Sequence, residues 1–219
     1  MEIGIVGGTG ALGRGLARRW LVAGVDVRLG SRDAAKGAAA AEELRTELPD
    51  AAGAVVGVDN LGAAEADVVV LAVPYEGLDE VLGPLTSAVS GRIVVSAVNP
   101  LAFDAEGPYN EPVAAGSVAQ ALAASLSRAK LVAAFHSVSS RELARLEQPM
   151  DDDVPVVGDD EEAVATVVDL ANRIEGVRAY SAGPLRMSGP LETLTALIIS
   201  VNKRHKAHVG LRLSRLTPR

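Results

Sequence analysis

With 219 residues, 48% of them hydrophobic and 22% charged, the chain can bury a sizeable core in one large domain or two modest ones. It has no cysteine, which excludes disulfides, thiolate nucleophiles and cysteine-ligated metals. A net charge of −7 argues against nucleic acid as the main partner, and no apolar run approaches the roughly 18 residues of a membrane span, so a soluble cytoplasmic protein is expected.

The first strand is expected at Glu2-Ile3-Gly4-Ile5-Val6-Gly7, which leaves no room ahead of it for a signal peptide. It runs into Gly8-Thr9-Gly10-Ala11-Leu12-Gly13, a G-x-G-x-x-G match, and then into a helix from about Ala11 to Ala23. Leu12, Leu16 and Trp20 recur one turn apart on that helix and form its inward stripe. Val25 to Leu29 reads as a second strand that ends in Gly30-Ser31-Arg32-Asp33. This order of strand, glycine turn, helix and strand is the context that gives the glycine motif its meaning as a dinucleotide site.

A helix from about Ala34 to Leu48 follows, then a strand at Val55–Val58 and a short helix capped by Asp59 or Asn60. Asp67 to Val73 is almost continuously apolar, as a central parallel strand buried on both faces should be. Further helices are expected at Tyr75–Ala88 and, capped by Ser117, up to Leu126, with strands at Arg92–Ser96 and Lys130–Phe135. Val98 to Gly116, with Asn99-Pro100 and Gly107-Pro108, reads as a long loop at the ligand edge. The alternation defines an α/β fold with a Rossmann-type, doubly wound parallel sheet over residues 1–137.

Past His136 the pattern changes to a small C-terminal α+β domain, residues 138–219. Its expected elements are a strand at Val154–Val157, a helix at about Glu161–Ile174, a strand at Val177–Ser181 and a last helix at about Pro190–Arg204. That last helix is apolar over a wide arc (Leu191, Leu194, Leu197, Ile198, Ile199 and Val201), which suggests that a second copy covers it in a homodimer. Every acidic residue precedes residue 193, whereas Lys203, Arg204, Lys206, Arg212, Arg215 and Arg219 follow it. Such a tail is either a solvated basic end or a patch that faces an anionic ligand.

In the glycine turn, Gly8 should permit the tight bend, Gly10 the approach of the pyrophosphate, and Gly13 close packing of helix on strand. The free N–H groups at Ala11 and Leu12 and the Thr9 hydroxyl can then serve the phosphates. An NAD enzyme would place a carboxylate about 20 residues past the turn, on the ribose. Here that place holds Ser31 and Arg32, with Lys36 one helical turn on, and this trio fits a ribose 2′-phosphate, hence NADP(H). Asp33 is assigned to capping the second helix, with Ser31 as the rival cap.

The nicotinamide should lie over the carboxyl ends of the central strands, at Val73-Pro74, Ala97-Val98-Asn99 and His136-Ser137-Val138. His136 is either a loop histidine bonded to backbone or a residue that orients the second substrate or passes a proton. No Tyr-x-x-x-Lys pair and no metal-ligand cluster follows, so reduction of a simple ketone lacks an evident acid. Hydride exchange between two stacked rings would need less, since positioning supplies most of the rate.

Ile5 to Gly13 with Gly30-Ser31-Arg32 and Lys36 resembles the NADPH-dependent reductases of the deazaflavin coenzyme F420. So do Phe135-His136-Ser137-Val138, Asp153 to Asp160, Ala182-Gly183-Pro184-Leu185 and Glu192-Thr193-Leu194-Thr195. The resemblance implies a homodimeric enzyme that moves a hydride between NADP(H) and coenzyme F420, with the deazaflavin held between the two domains. It also implies that Thr9, Ser31, Arg32 and Lys36 hold NADP, and that Val73, Val98 and Ser137 line the nicotinamide side. His136, Val138, Thr193 and Thr195 would contact the deazaflavin. Gly189 stands where that family often carries Arg, with Arg186 three residues earlier, and the tail is longer and more basic than expected. An NADPH-dependent reductase of a small imine or carbonyl, or a non-catalytic NADP-binding sensor, stays open as an alternative.

Overall fold

The computed structural model describes residues 1–216, so Arg219 lies outside the described residues. β1 (Glu2–Val6), β2 (Asp26–Ser31) and β3 (Val55–Asp59) lie side by side in parallel. β4 (Val68–Leu71), β5 (Ile93–Ser96) and β8 (Lys130–Ala133) continue the parallel sheet from the other side of β1. All four residues of β4 are buried, as its unbroken Val68-Val69-Val70-Leu71 run demands of a strand covered on both faces. Strand order therefore reverses at β1 and β4, and a crevice opens above their carboxyl ends.

The crossovers are α1 (Ala11–Val22), α2 (Ala34–Glu47), the short α3 (Asn60–Ala63), α4 (Leu78–Ala88) and α5 (Val118–Ser125). Asp33, Asp59 and Ser117 cap α2, α3 and α5 by accepting from the N–H groups of Ala35 (2.8 Å), Gly62 (2.7 Å) and Gln120 (3.0 Å). The helix expected from Tyr75 is split: Tyr75–Gly77 forms a 3-10 turn and α4 starts only at Leu78. α2 comes so close to β3 that a Cβ on Gly57 would overlap the Gly37 carbonyl.

The expected loop between Val98 and Gly116 contains an antiparallel hairpin, β6 (Leu101–Phe103) with β7 (Pro108–Asn110). Three-residue strands framed by Pro100 and Pro108 give too little alternation to be read as strands. Gly107, at φ 131°, closes the turn between them.

After α6 (Ser140–Leu143), β9 (Asp152–Gly158) joins the edge of the main sheet antiparallel to β8, through Val132–Gly158 and Ala133–Val157. β10 (Val177–Ser181) pairs with β9 in parallel, and α7 (Glu161–Asn172) connects them. β9 starts earlier than expected because the buried Asp153 sits within it, bound through both carboxylate oxygens to Arg178 at 2.7 and 2.8 Å. α8 (Ser188–His205) ends at Lys206, which takes a left-handed conformation.

The chain then runs back across β9. Asp153 donates its N–H to Leu211 O (2.7 Å), Arg178 donates to the carbonyls of Leu213 and Leu216 (3.2 Å each), and Arg212 pairs with Asp151 at 2.9 Å. One of the basic tail residues is thus answered by the chain's own acids, while Lys203, Arg204, Lys206 and Arg215 are exposed.

α1 stitches the early and late parts of the chain together. Trp20, fully buried, donates its Nε1–H to Leu170 O (3.1 Å) and meets Phe135 edge to face at 5.7 Å. Beside it, the buried Arg19 guanidinium donates to the carbonyls of Glu142, Leu143, Arg145 and Gln148 at 2.6–3.1 Å. Those carbonyls replace water around a buried cation.

Candidate functional site

A cleft of about 590 Å³ occupies the crevice, lined among others by Thr9, Gly10, Ser31, Arg32, Lys36 and Val73. It runs on into a cavity of about 330 Å³ that shares Gly10, Ala72, Val73 and Pro74 with it and reaches Ala11, Leu12, Ala97, Asn99 and Leu101. A separate cavity of about 630 Å³, between α7 and the end of β10, contains none of the expected site residues.

The glycine turn is shaped for close approach. Gly7 carries the positive φ of the bend (75°), so the conformational demand falls one residue before Gly8. A Cβ on Gly13 would stand 2.7 Å from Gly8 Cα, which explains why α1 can begin directly against the turn. Gly7 N–H donates to Asn60 Oδ1 (3.0 Å), so α3 holds the turn from beneath. Asn60 appears in the sequence only as a rival helix cap; a bond across 53 residues has no local signal.

Gly10 precedes α1, and no side chain caps this helix, nor does its first turn contain an acidic residue. The N–H groups there face a cleft whose other wall presents Ser31, Arg32 and Lys36. That is the donor set of a site for two phosphates, one on the helix N-terminus and one on the cationic side chains. The Ser31 hydroxyl accepts weakly from Asp33 N–H (3.4 Å), while Asp33 takes the capping role on α2. Arg32 and Lys36 are exposed. Glu76 and Glu80 of the opposite wall also line the cleft, and Glu80 lies 4.0 Å from the Arg32 guanidinium.

At the strand ends the placement is mixed. Val73 lines both cavities, but Val98 is 1% exposed and packs in the core, while its neighbours Ala97 and Asn99 border the smaller cavity. Val138 is likewise buried in the core, and Ser137 is half-buried. His136 is buried, and neither ring nitrogen has a partner within the protein. Burial pulls its pKa down to about 4, so the imidazole is neutral at physiological pH. Its carbonyl carries the contacts instead: Thr195 Oγ1 donates to it at 2.8 Å and Asn99 Nδ2 at 3.2 Å. Phe135, just before it, has φ 68°, a strained value for a phenylalanine at the end of a strand.

α8 reaches this region because Glu192, buried, accepts from the N–H groups of Val118 (2.9 Å) and Ala119 (3.0 Å) at the start of α5. Burial raises the Glu192 pKa, and the two donors draw it back. Ser117 and Ser188 hydroxyls add a contact of 2.6 Å. Thr195 is thereby held at the strand ends, whereas Thr193 is exposed and donates to Gly189 O of its own helix (2.9 Å). Among the described residues there is no cluster of three potential metal ligands and no helix long and apolar enough to cross a membrane.

A family profile described as NADP oxidoreductase, coenzyme F420-dependent, matches residues 2–100. The F420-dependent NADP reductase of Methanocaldococcus jannaschii is 39% identical over 222 residues, covering 99% of both chains. That of Methanothermobacter thermautotrophicus is 34% identical over 99% of this chain and 96% of its own. A crystal structure from Arthrobacter shares the fold at TM-score 0.81 and 23% identity, covering 98% of this chain and all of that one. A reductive aminase from Aspergillus terreus, solved with NADPH, shares it at TM-score 0.62 and 17% identity over 94% of this chain and 63% of its own. Full-length identity to the archaeal proteins places this chain in the family of F420-dependent NADP reductases.

Proposed function

We propose that this protein is an NADPH:coenzyme F420 oxidoreductase. The observation that carries the reading is the cleft in which the uncapped start of α1 faces Ser31, Arg32 and Lys36, in a chain 39% identical end to end to a named F420-dependent NADP reductase. Gly8 to Gly13 and Thr9 take the pyrophosphate, and Ser31, Arg32 and Lys36 take the 2′-phosphate of NADP(H). Val73, with the Val98 and Ser137 segments, bounds the nicotinamide. The region of His136, Val138, Thr193 and Thr195 receives the deazaflavin. In this reading residues 1–137 carry the nucleotide and residues 138–219 close over the second ring.

Two electrons and a proton leave the dihydronicotinamide as hydride and enter the deazaflavin, and a proton from solvent completes the reduction; the reverse reaction releases that proton. Neither direction needs an acid beside the reacting carbons, which suits a neutral, buried His136. The work left to the protein is to stack two rings and exclude water. The direct test mixes protein, NADPH and coenzyme F420 and follows bleaching of the deazaflavin absorbance. Turnover is expected, and its absence with authentic coenzyme would refute the assignment.

The protein is further proposed to act as a homodimer in the cytoplasm. Only Ser188 and Glu192 of the eighteen α8 residues are fully buried, and Leu197 is 60% exposed beside half-buried Leu194, Ile198 and Val201. A second copy would cover that face. Light scattering at micromolar concentration should give twice the 22.5 kDa chain mass.

A further inference from the structure

The hairpin β6–β7 has two unlike faces. Leu101 and Phe103 point to one side, together with their cross-strand partners Asn110 and Pro108, and Ala102 and Tyr109 point to the other. Two observations orient the first face. Leu101 lines the cavity at Ala97 and Asn99, and Asn110 donates from Nδ2 to Glu192 O on α8 at 2.9 Å. Thr195, three residues past Glu192, is the residue that bonds Asn99 Oδ1 (3.1 Å) and the His136 carbonyl. The face that bears Leu101 and Phe103 therefore looks over the mouth between the strand ends and α8.

On that face Phe103 is 65% exposed, whereas the chain's other phenylalanine, Phe135, is 2% exposed. The ring does not hang on a slack loop. Asp104 exchanges backbone bonds with Gly107 (3.0 and 3.3 Å), and its carboxylate accepts from Glu106 and Gly107 N–H groups (2.8 and 3.1 Å). At the base of the hairpin Glu111 N–H donates to Pro100 O at 2.7 Å. A large apolar side chain is thus presented to water from a hairpin held at both ends, on the same face as the cavity-lining Leu101 and two residues further out.

We infer that Phe103 stacks on the ring of the second substrate, and that it selects for a planar, fused heteroaromatic system over a small carbonyl or imine. The inference rests on the reading of that substrate as a deazaflavin. In a hydride exchange one face of the ring lies against the nicotinamide, and the opposite face must be kept dry. Leu101 supplies the inner part of an apolar cover, and Phe103, two residues out on the same face, supplies the outer part.

The test uses the full chain with Phe103→Ala, Phe103→Trp and Phe103→Leu, reading coenzyme F420 affinity from quenching of its fluorescence and both KM values from turnover. Phe103→Ala should weaken F420 binding and raise its KM by about tenfold, leaving the KM for NADPH within about twofold. Phe103→Trp should restore affinity, and Phe103→Leu should fall between. Thermal melts of all three should match the parent, because the side chain is exposed. If the parent turns over F420 and Phe103→Ala binds it equally well, the inference is overturned while the function stands. A changed oligomeric state with unchanged F420 affinity would assign the ring to contact between copies. A parent that neither binds nor turns over F420 overturns both.

Discussion

α1 and α5 each cross from the carboxyl end of one parallel strand to the next, and each begins with N–H groups that have no partner within the helix and a positive partial charge. They resolve it in opposite ways. At α5 the chain supplies its own anion: the Glu192 carboxylate takes two N–H groups and Ser117 takes a third. At α1 nothing of the kind is present, since Gly10 has no side chain to offer and the first turn has no acid. The same physics, met internally, fastens α8 to the sheet; left unmet, it makes a place for a phosphate. A helix start filled from within is architecture, and one left open beside Arg32 and Lys36 is free to receive an anionic ligand.

The sharpest way to break this contrast is to open α5. Glu192→Ala would strand two buried N–H groups and should cost about 3 kcal/mol, a drop of roughly 6–12 °C in thermal melts. NADPH affinity should barely change, because the lost anchor belongs to α8. The reciprocal experiment closes α1. A side chain at Gly10 meets the Gly7 carbonyl at 3.2 Å and the Ala72 carbonyl at 3.9 Å, and φ is −72° there, so Gly10→Asp should fold with a small adjustment of the turn. Its carboxylate would occupy the phosphate position, weakening NADPH by about 100-fold in calorimetry while stabilising the free protein by about 1 kcal/mol.

Arg32→Ala leaves the helix start untouched and tests the other phosphate. NADPH should bind about 30-fold more weakly and NADH within about threefold, so equal losses would remove Arg32 from the 2′-phosphate site. The smallest effect is expected at Glu80, whose carboxylate faces Arg32 across the cleft and repels an incoming phosphate. Glu80→Gln should tighten NADPH by about two- to fourfold at low salt, and the gain should fade toward 1 M salt.

What could be read from the sequence was the part set by neighbours in the chain. The glycine turn, the Ser31-Arg32 pair and the caps at Asp33, Asp59 and Ser117 are patterns over two to six residues, and each recurs in the structure. What could not be read was long in reach. The Glu192 carboxylate meets α5 across 74 residues, Asn60 meets Gly7 across 53, and neither has a periodicity to announce it. The hairpin at Leu101–Asn110 was hidden by its brevity. Val98 shows a subtler limit: its position in the chain is at the strand ends, but alternation turns its side chain inward and gives the cavity to Ala97 and Asn99. His136 follows the end of β8, but its ring is buried and lines neither cavity, and its carbonyl is what accepts from Asn99 and Thr195.

The seam along α1 bears on how the molecule comes together in time. Arg19 and Trp20 give their donors to carbonyls 123 to 150 residues further along the chain. Contacts of that span require closure of a very large loop before they contribute anything, so they form after the local strand–helix units. The turn around Glu142 to Gln148 has short-range bonds of its own, such as Arg145 N–H to Glu142 O (3.1 Å), but the convergence of its carbonyls is completed only when Arg19 of α1 arrives. Refolding should therefore show secondary structure first and a later, slower phase in the emission of Trp20, the chain's single tryptophan.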